Sequence, residues 1–145
     1  MTQENDSYRL QRFVEAQAGA YDQAVAELRK GRKQSHWMWF IFPQIKGLGS
    51  SVTAEHYAIG SLQEAEAYLE HQILGYRLRA CAGVLLQHHG LTAEGIFGYP
   101  DYLKLHSSMT LFDQASPDER LFSDVLVKYF GGKLDEATLV KLKGH

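Results

Sequence analysis

Apolar residues recur every three or four positions along most of the chain, which is the spacing of one face of an α-helix. The first stripe runs from Leu10 to Leu28, and Gly19 inside it leaves one long helix and two shorter helices as equal alternatives. Further stripes cover residues 62–73, 74–85, 102–112 and 121–130. We expect Gly75 to separate the helices on either side of it, because glycine weakens a helix interior. The pattern predicts a mainly α-helical fold.

Polar residues and prolines mark where several of these helices begin. Ser61 and Thr92 are predicted N-caps, Pro100–Asp101 is a common helix start, and a short last helix is expected after Asp135. Another short helix is expected from Thr53 to Ile59.

The alternation of apolar and polar residues that marks a half-buried strand is hard to find over a usable length. The apolar run Trp37–Phe42 fits either a buried strand or a buried turn. A single strand would leave its backbone groups without partners, which weakens the strand interpretation. We therefore predict one compact multi-helix domain over residues 1–145, with little or no β structure and a flexible N-terminus at residues 1–6.

Composition narrows the class of protein further. The chain has 145 residues, of which 45% are apolar and 22% are charged, as in one ordinary globular domain. The longest apolar run is too short to cross a membrane, and the first residues are polar and acidic, so we expect a cytoplasmic protein without a membrane partner. One cysteine and seven histidines without metal-ligand spacing predict neither a disulfide nor a metal site. No cofactor is predicted.

Charge is distributed unevenly along the chain. The segment from Leu28 to Ala54 contains no Asp or Glu and five Lys or Arg residues, whereas the whole chain carries a formal charge of −2. One interpretation is an anion-binding site. The alternative is that the cations at residues 29–33 stabilise the C-terminal end of a helix.

Aromatic and glycine-rich segments follow this basic run. Both tryptophans, Trp37 and Trp39, lie in the aromatic block, where they could stack on a flat ring or belong to the core. The loop from Lys46 to Ser51 could hold phosphate with its backbone N–H groups, or it is a plain turn. It contains neither a P-loop nor a complete dinucleotide-binding fingerprint.

Two polar segments, residues 33–50 and 101–110, supply the candidate site, and the sequence leaves open whether they meet. Asp101 and Glu55 are the candidate acid–base residues, with helix capping and an ordinary first-turn acid as the respective alternatives. The candidate ligand-binding residues are Lys33, Ser35, His36, Trp37, Trp39, Gln44, Lys46, Gly47, Gly49, Ser50, Lys104, Ser107, Ser108 and Thr110.

Two motifs link the chain to a known family: S-H-W-M-W-F-I-F-P-Q at residues 35–44 and K-L-x-S-S-M-T-L-F at residues 104–112. With them, the chain resembles a bacterial family of domains of unknown function whose members are often labelled calpastatin-like. The resemblance covers nearly the whole chain and implies a small, mainly helical single domain without an assigned activity. Calpain inhibition depends on disordered repeats, so the label implies nothing about this patterned chain.

The leading hypothesis is a domain that binds or processes a small anionic, nucleotide-like ligand at a basic and aromatic pocket. The alternative is a nucleic-acid or protein interaction module without catalysis. A third interpretation assigns the aromatic block to the core and the cations to the solvated surface. The sequence names no reaction and does not determine the oligomeric state.

Overall fold

The computed structural model of the protein describes residues 6–144. In this range the chain folds into ten helices: α1 (Gln11–Ala18), α2 (Tyr21–Lys30), α3 (Met38–Ile41), α4 (Val52–His56), α5 (Leu62–Glu70), α6 (Gln72–Leu86), α7 (Ala93–Phe97), α8 (Asp101–Ala115), α9 (Arg120–Phe130) and α10 (Glu136–Lys143). One isolated parallel bridge joins Ile45 and Ile59. The predicted mainly α-helical single domain is confirmed.

The long helix α8 lies at the centre of the fold. It packs against α5, α7, α9 and α10. Because it has neighbours on several sides, its buried residues run without interruption from Ser107 to Phe112 rather than along one stripe. The polar residues of this segment are therefore drawn into the interior together with the apolar ones.

The boundary between α5 and α6 differs from the sequence prediction. Gly75 was expected to separate two helices, but it lies inside α6, and the break falls at His71. The Nδ1 atom of His71 accepts hydrogen bonds from the N–H groups of Ile73 and Leu74, which caps α6. A side chain at Gly75 would collide with the carbonyl oxygen of Leu69, so this glycine allows α5 and α6 to pack closely.

The aromatic block forms neither a strand nor a long helix. Residues Met38–Ile41 make a single helical turn, after which the chain extends to the bridge. There the N–H group of Lys46 donates to the carbonyl of Ile59 at 2.8 Å, and the N–H group of Ile59 donates to the carbonyl of Gln44 at 2.8 Å. Within the aromatic block, the N–H groups of Ile41 and Phe42 donate to the carbonyls of Trp37 and Met38, so helical hydrogen bonds satisfy the backbone that a lone strand would have left unpaired.

Several helix starts agree with their predicted caps. The side chains of Ser61, Thr92 and Asp135 each accept a backbone hydrogen bond from the first turn of α5, α7 and α10, respectively. The short helix expected from Thr53 to Ile59 is present as α4, but it begins one residue earlier, after the Ser51 cap, and ends at His56.

The N-terminal prediction falls mostly outside the described range, which omits residues 1–5. Asp6, the last residue of the segment predicted to be flexible, accepts hydrogen bonds from the N–H groups of Leu10 and Gln11. In residues 6–144, no helix combines the length and apolar character needed to cross a membrane.

Candidate functional site

The two polar segments meet at a cavity of about 560 Å³. Its walls come from α3 and the segment after it, from α4 and the loop that leads into it, from the first two turns of α8, and from the start of α10. Among the predicted ligand-binding residues, those that line it are Trp39, Gln44, Gly49, Ser50, Lys104 and Ser107. The fold thus answers the question that the sequence left open, because residues of both segments face one space.

The Trp39 ring and the Lys104 ammonium group lie together in this cavity. The Nζ atom of Lys104 is 5.0 Å from the centroid of the Trp39 ring, within the range of a cation–π contact. Trp39 is half-buried, and Lys104 lies in the first turn of α8. The arrangement combines a flat aromatic surface with a positive charge.

The carboxylate of Asp101, beside the cavity, forms ion pairs with Lys33 and Lys104. Asp101 Oδ2 is 2.8 Å from Lys33 Nζ, and Asp101 Oδ1 is 3.4 Å from Lys104 Nζ. The helix-cap alternative for Asp101 is wrong, because Pro100 takes the N-cap position and no side chain caps α8. Asp101 and Lys33 do not line the cavity, so Lys104 is the member of this cluster that a ligand would meet.

Asp135 is a second carboxylate, and it does line the cavity. Its Oδ2 atom accepts hydrogen bonds from Ser107 Oγ at 2.8 Å, from Thr138 Oγ1 at 2.6 Å and from the N–H group of Thr138 at 3.2 Å. The N–H group of Asp135 in turn donates to Thr110 Oγ1 at 2.9 Å. Asp135 is thus held by both α8 and α10.

The predictions for Ser35 and Trp37 as ligand-binding residues are corrected by the position of Glu27. This buried carboxylate accepts hydrogen bonds from Ser35 Oγ at 2.5 Å, from the Ser35 N–H group at 2.9 Å and from Trp37 Nε1 at 2.9 Å. Gln23 Nε2 and the Gln34 N–H group each donate to it at 2.8 Å. Trp37 is only 1% exposed and belongs to the core.

Two opposing effects act on the ionisation of Glu27. Burial raises its pKa, but the hydrogen bonds from Ser35, Gln23 and the Gln34 backbone stabilise the charged form and hold the pKa far below its ordinary value. Glu27 therefore remains a carboxylate that fixes the chain between α2 and α3.

Other predicted residues lie away from the 560 Å³ cavity. His36 is exposed, whereas Lys46 and Glu55 line a separate cavity of about 230 Å³ beside the buried ion pair of Arg12 and Glu64. Gly47 lines a narrow neighbouring cleft. These four residues were expected at one site. The cleft of Gly47 shares Trp39, Gln44, Gly49 and Ala54 with the cavity, whereas the cavity of Lys46 and Glu55 shares none of its lining residues.

Ser108 and Thr110 were also predicted to bind ligand, and both are fully buried within α8. Thr110 Oγ1 donates to the carbonyl of His106 and accepts from the Asp135 backbone. Thr110 thus supports the position of Asp135 without facing the cavity, and Ser108 lies on a helix face that neighbouring helices cover.

Sequence reasoning missed several residues that line the cavity: Leu48, Ser51, Ala54, Pro100, Leu103, Asp135 and Ala137. Most are small or apolar and carry no chemical signal in the sequence. Asp135 did carry one, as a helix N-cap, but its contact with Ser107 joins positions 28 residues apart. Only the packing of α10 on α8 creates that contact.

Comparisons with known proteins give a family without an activity. The structure of the conserved hypothetical protein Rv1873 from Mycobacterium tuberculosis, solved at 1.38 Å, is 53% identical to this chain. The match covers 95% of this chain and 99% of that one, with a TM-score of 0.94. Among curated proteins, none matches the chain. The model of a family described as protein of unknown function (DUF1810) matches residues 7–142, and the chain therefore belongs to the DUF1810 family.

Proposed function

We propose that the cavity between α3, α8 and α10 binds a small anionic ligand that carries a flat ring, such as a nucleotide derivative. The observation that carries this proposal is that Trp39 and Lys104 line the same cavity, with Lys104 Nζ 5.0 Å from the ring centroid. An aromatic face can stack on the ring of a ligand, while the ammonium group pairs with its negative charge.

The ion pairs of Asp101 support this role for Lys104. Asp101 lies 2.8 Å from Lys33 but 3.4 Å from Lys104, so Lys33 is its closer partner. The side chain of Lys33 is also only 8% exposed, against 25% for Lys104. Lys104 can therefore turn to a ligand while Lys33 continues to compensate the charge of Asp101.

The size and the remaining lining of the cavity also suit such a ligand. A volume of about 560 Å³ lies within the range of small-molecule sites, about 300–1,000 Å³. Gln44 and Ser50 add hydrogen-bonding side chains. A side chain at Gly49 would lie 2.8 Å from the Ala54 side chain, so glycine keeps this loop close to α4 and leaves its backbone open to the cavity.

The proposal is limited to binding. Asp101 and Glu55, the two candidate acid–base residues, do not line the cavity. Asp101 is engaged by two ammonium groups, and Glu55 lies at the separate cavity with Lys46.

An NMR titration of the two indole N–H signals tests the proposal. ADP-ribose, NAD, AMP, GMP and a short oligonucleotide would be added separately at two salt concentrations. We expect a saturable shift of the Trp39 signal with a small ligand, and little change at Trp37, whose N–H group is bonded to the buried Glu27. The proposal is wrong if no small ligand moves the Trp39 signal.

Two lysine variants provide a matched comparison. Lys104→Ala removes the ammonium group at the cavity, and we expect it to weaken binding about tenfold or more. Lys46→Ala removes a cation at the separate cavity and should leave affinity within about twofold, since the remaining field is screened by salt. Equal losses in both variants would indicate a general charge effect instead of a site at Lys104.

A second candidate function is a nucleic-acid or protein interaction module. Exposed apolar side chains beside the cavity favour it: Tyr99, next to the lining residue Pro100, is 74% exposed, and Leu103 is 43% exposed. In the same titration, this function predicts a Trp39 shift with the oligonucleotide alone, which weakens steeply as salt rises.

A further inference from the structure

We infer that Asp135 gives this cavity a preference for purine nucleotides whose ring edge carries an amino group. This inference deepens the proposed function and depends on it. It rests on the hydrogen bonds of Asp135, on the charges that line the cavity and on the free amide of Gln44.

The hydrogen bonds of Asp135 leave one of its oxygens available. Ser107 Oγ, Thr138 Oγ1 and the Thr138 N–H group all donate to Oδ2. No residue between positions 6 and 144 donates a hydrogen bond to Oδ1. Because a carboxylate oxygen is an acceptor only, Oδ1 would pair with a donor on the ligand.

Asp135 also forms no ion pair with another residue within the described range. In this respect it differs from Asp101, which lies within 4.0 Å of two lysines. Among the described residues, the charged side chains that line the cavity are Lys104 and Asp135. A ligand that complements both must be dipolar, with an anionic group for Lys104 and an N–H donor for Asp135.

Gln44 is a second polar side chain that can recognise the ring edge of the ligand. Its side chain lines the cavity and makes no hydrogen bond with the part of the chain that the structure covers. An amide can donate and accept, so it can pair with a ring nitrogen or with a second polar group on the ring edge. With Trp39 against the ring face, these groups suit an amino-bearing purine with a phosphate.

Two pairs of nucleotides isolate the amino group. AMP is compared with purine riboside 5′-monophosphate, and GMP with inosine 5′-monophosphate, by titration of the unmodified protein. We expect the amino-bearing member of at least one pair to bind about ten to a hundred times more tightly, as for a hydrogen bond to a charged group. Equal affinities within both pairs would overturn the inference, while any saturable Trp39 shift would leave the proposed function standing. If none of the four nucleotides binds, the inference fails, and the proposed function fails with it only if ADP-ribose and NAD also leave the Trp39 signal unchanged.

The variant Asp135→Asn tests the residue itself. Asparagine is also a good N-cap, and the three donors at Oδ2 require its amide oxygen there. Its NH₂ group then occupies the Oδ1 position, so the acceptor becomes a donor while α10 keeps its cap. We expect the preference for the amino-bearing nucleotide to disappear, and its survival would overturn the inference.

One further variant separates recognition from the overall charge of the region. Glu55→Gln removes a carboxylate that lines the separate cavity and does not line the 560 Å³ cavity. It should retain the preference within about threefold, a tolerance below one hydrogen bond to a charged group. Loss of the preference in Glu55→Gln would assign it to the overall charge of the region and overturn the role of Asp135.

Discussion

Glu27 and Asp101 are two carboxylates that contact residues 31–37, the segment between α2 and α3, and they do so in different ways. Glu27 is 2% exposed and accepts its five hydrogen bonds from uncharged groups, among them the indole of Trp37. Asp101 instead pairs with Lys33 and Lys104, beside the cavity that Trp39 lines.

The difference separates a structural carboxylate from one that supports a binding site. The donors around Glu27 belong to the chain and cannot exchange without unfolding the segment that follows α2. The ammonium group of Lys104 is partly exposed and can exchange a weak ion pair for a ligand. We therefore expect variants around Glu27 to change stability, and variants around Lys104 to change binding.

The largest expected difference is between the two tryptophans. Trp37→Ala removes a ring that is almost fully buried and should lower the free energy of unfolding by about 3–5 kcal/mol. Trp39→Ala removes a half-buried ring and should cost about 1–2 kcal/mol. Urea unfolding followed by circular dichroism measures both values. Similar losses of the free energy of unfolding in the two variants would contradict the assignment of Trp37 to the core and Trp39 to the cavity.

Glu27→Gln comes next. The amide would turn an N–H donor toward groups that are themselves donors, so we expect a loss of about 2–3 kcal/mol in the free energy of unfolding. The matched control is Asp101→Asn, whose ion pairs are partly exposed and should be worth about 1 kcal/mol or less. The comparison fails if the Asp101 variant proves the less stable of the two in chemical denaturation.

The pH dependence of stability follows from the lowered pKa of Glu27. A lowered pKa in the folded state means that the stabilisation is complete above the ordinary value of 4.5 and is lost as the pH falls toward the folded value. The stability advantage over Glu27→Gln should therefore shrink below pH 4.5, by at most about 1.4 kcal/mol per pH unit. Denaturation of both proteins between pH 6 and 3 measures this advantage. A difference in the free energy of unfolding that stays constant over this range would contradict the lowered pKa of Glu27.

The smallest expected effect distinguishes the two lysines. Lys33→Met leaves Asp101 without its closer, more buried partner and should lower the free energy of unfolding by about 1 kcal/mol. Lys104→Met removes the longer and more exposed ion pair of Asp101 and should lower the free energy of unfolding by less than about 0.5 kcal/mol. Thermal unfolding of the two variants decides between this order and its reverse.

Much of the helical architecture could be predicted because its causes are local. The stripe from Leu121 to Phe130 has the period of one buried helix face and forms α9. Ser61 and Thr92 cap helices through hydrogen bonds that span three residues. Gly75 shows the limit of this reasoning, because its role is to let α6 approach the backbone of α5.

The candidate site was only partly predictable for the same reason. The sequence alone indicated the basic and aromatic segment and the polar segment of α8, including Trp39, Gln44 and Lys104. It could not tell Trp37 from Trp39, because the two have the same chemistry and the short helix α3, which sets the directions of their side chains, was not predicted.

The sequence by itself determined most of the helices, the caps at Ser61 and Thr92, and the concentration of cations and aromatic rings in one stretch, because neighbouring residues produce these features. The tertiary structure alone decided which of those residues share a cavity. It buried Trp37 against Glu27, paired Lys33 with Asp101, and brought Asp135 to Ser107. Contacts of this kind join residues far apart in the chain, and they exist only after the helices have packed.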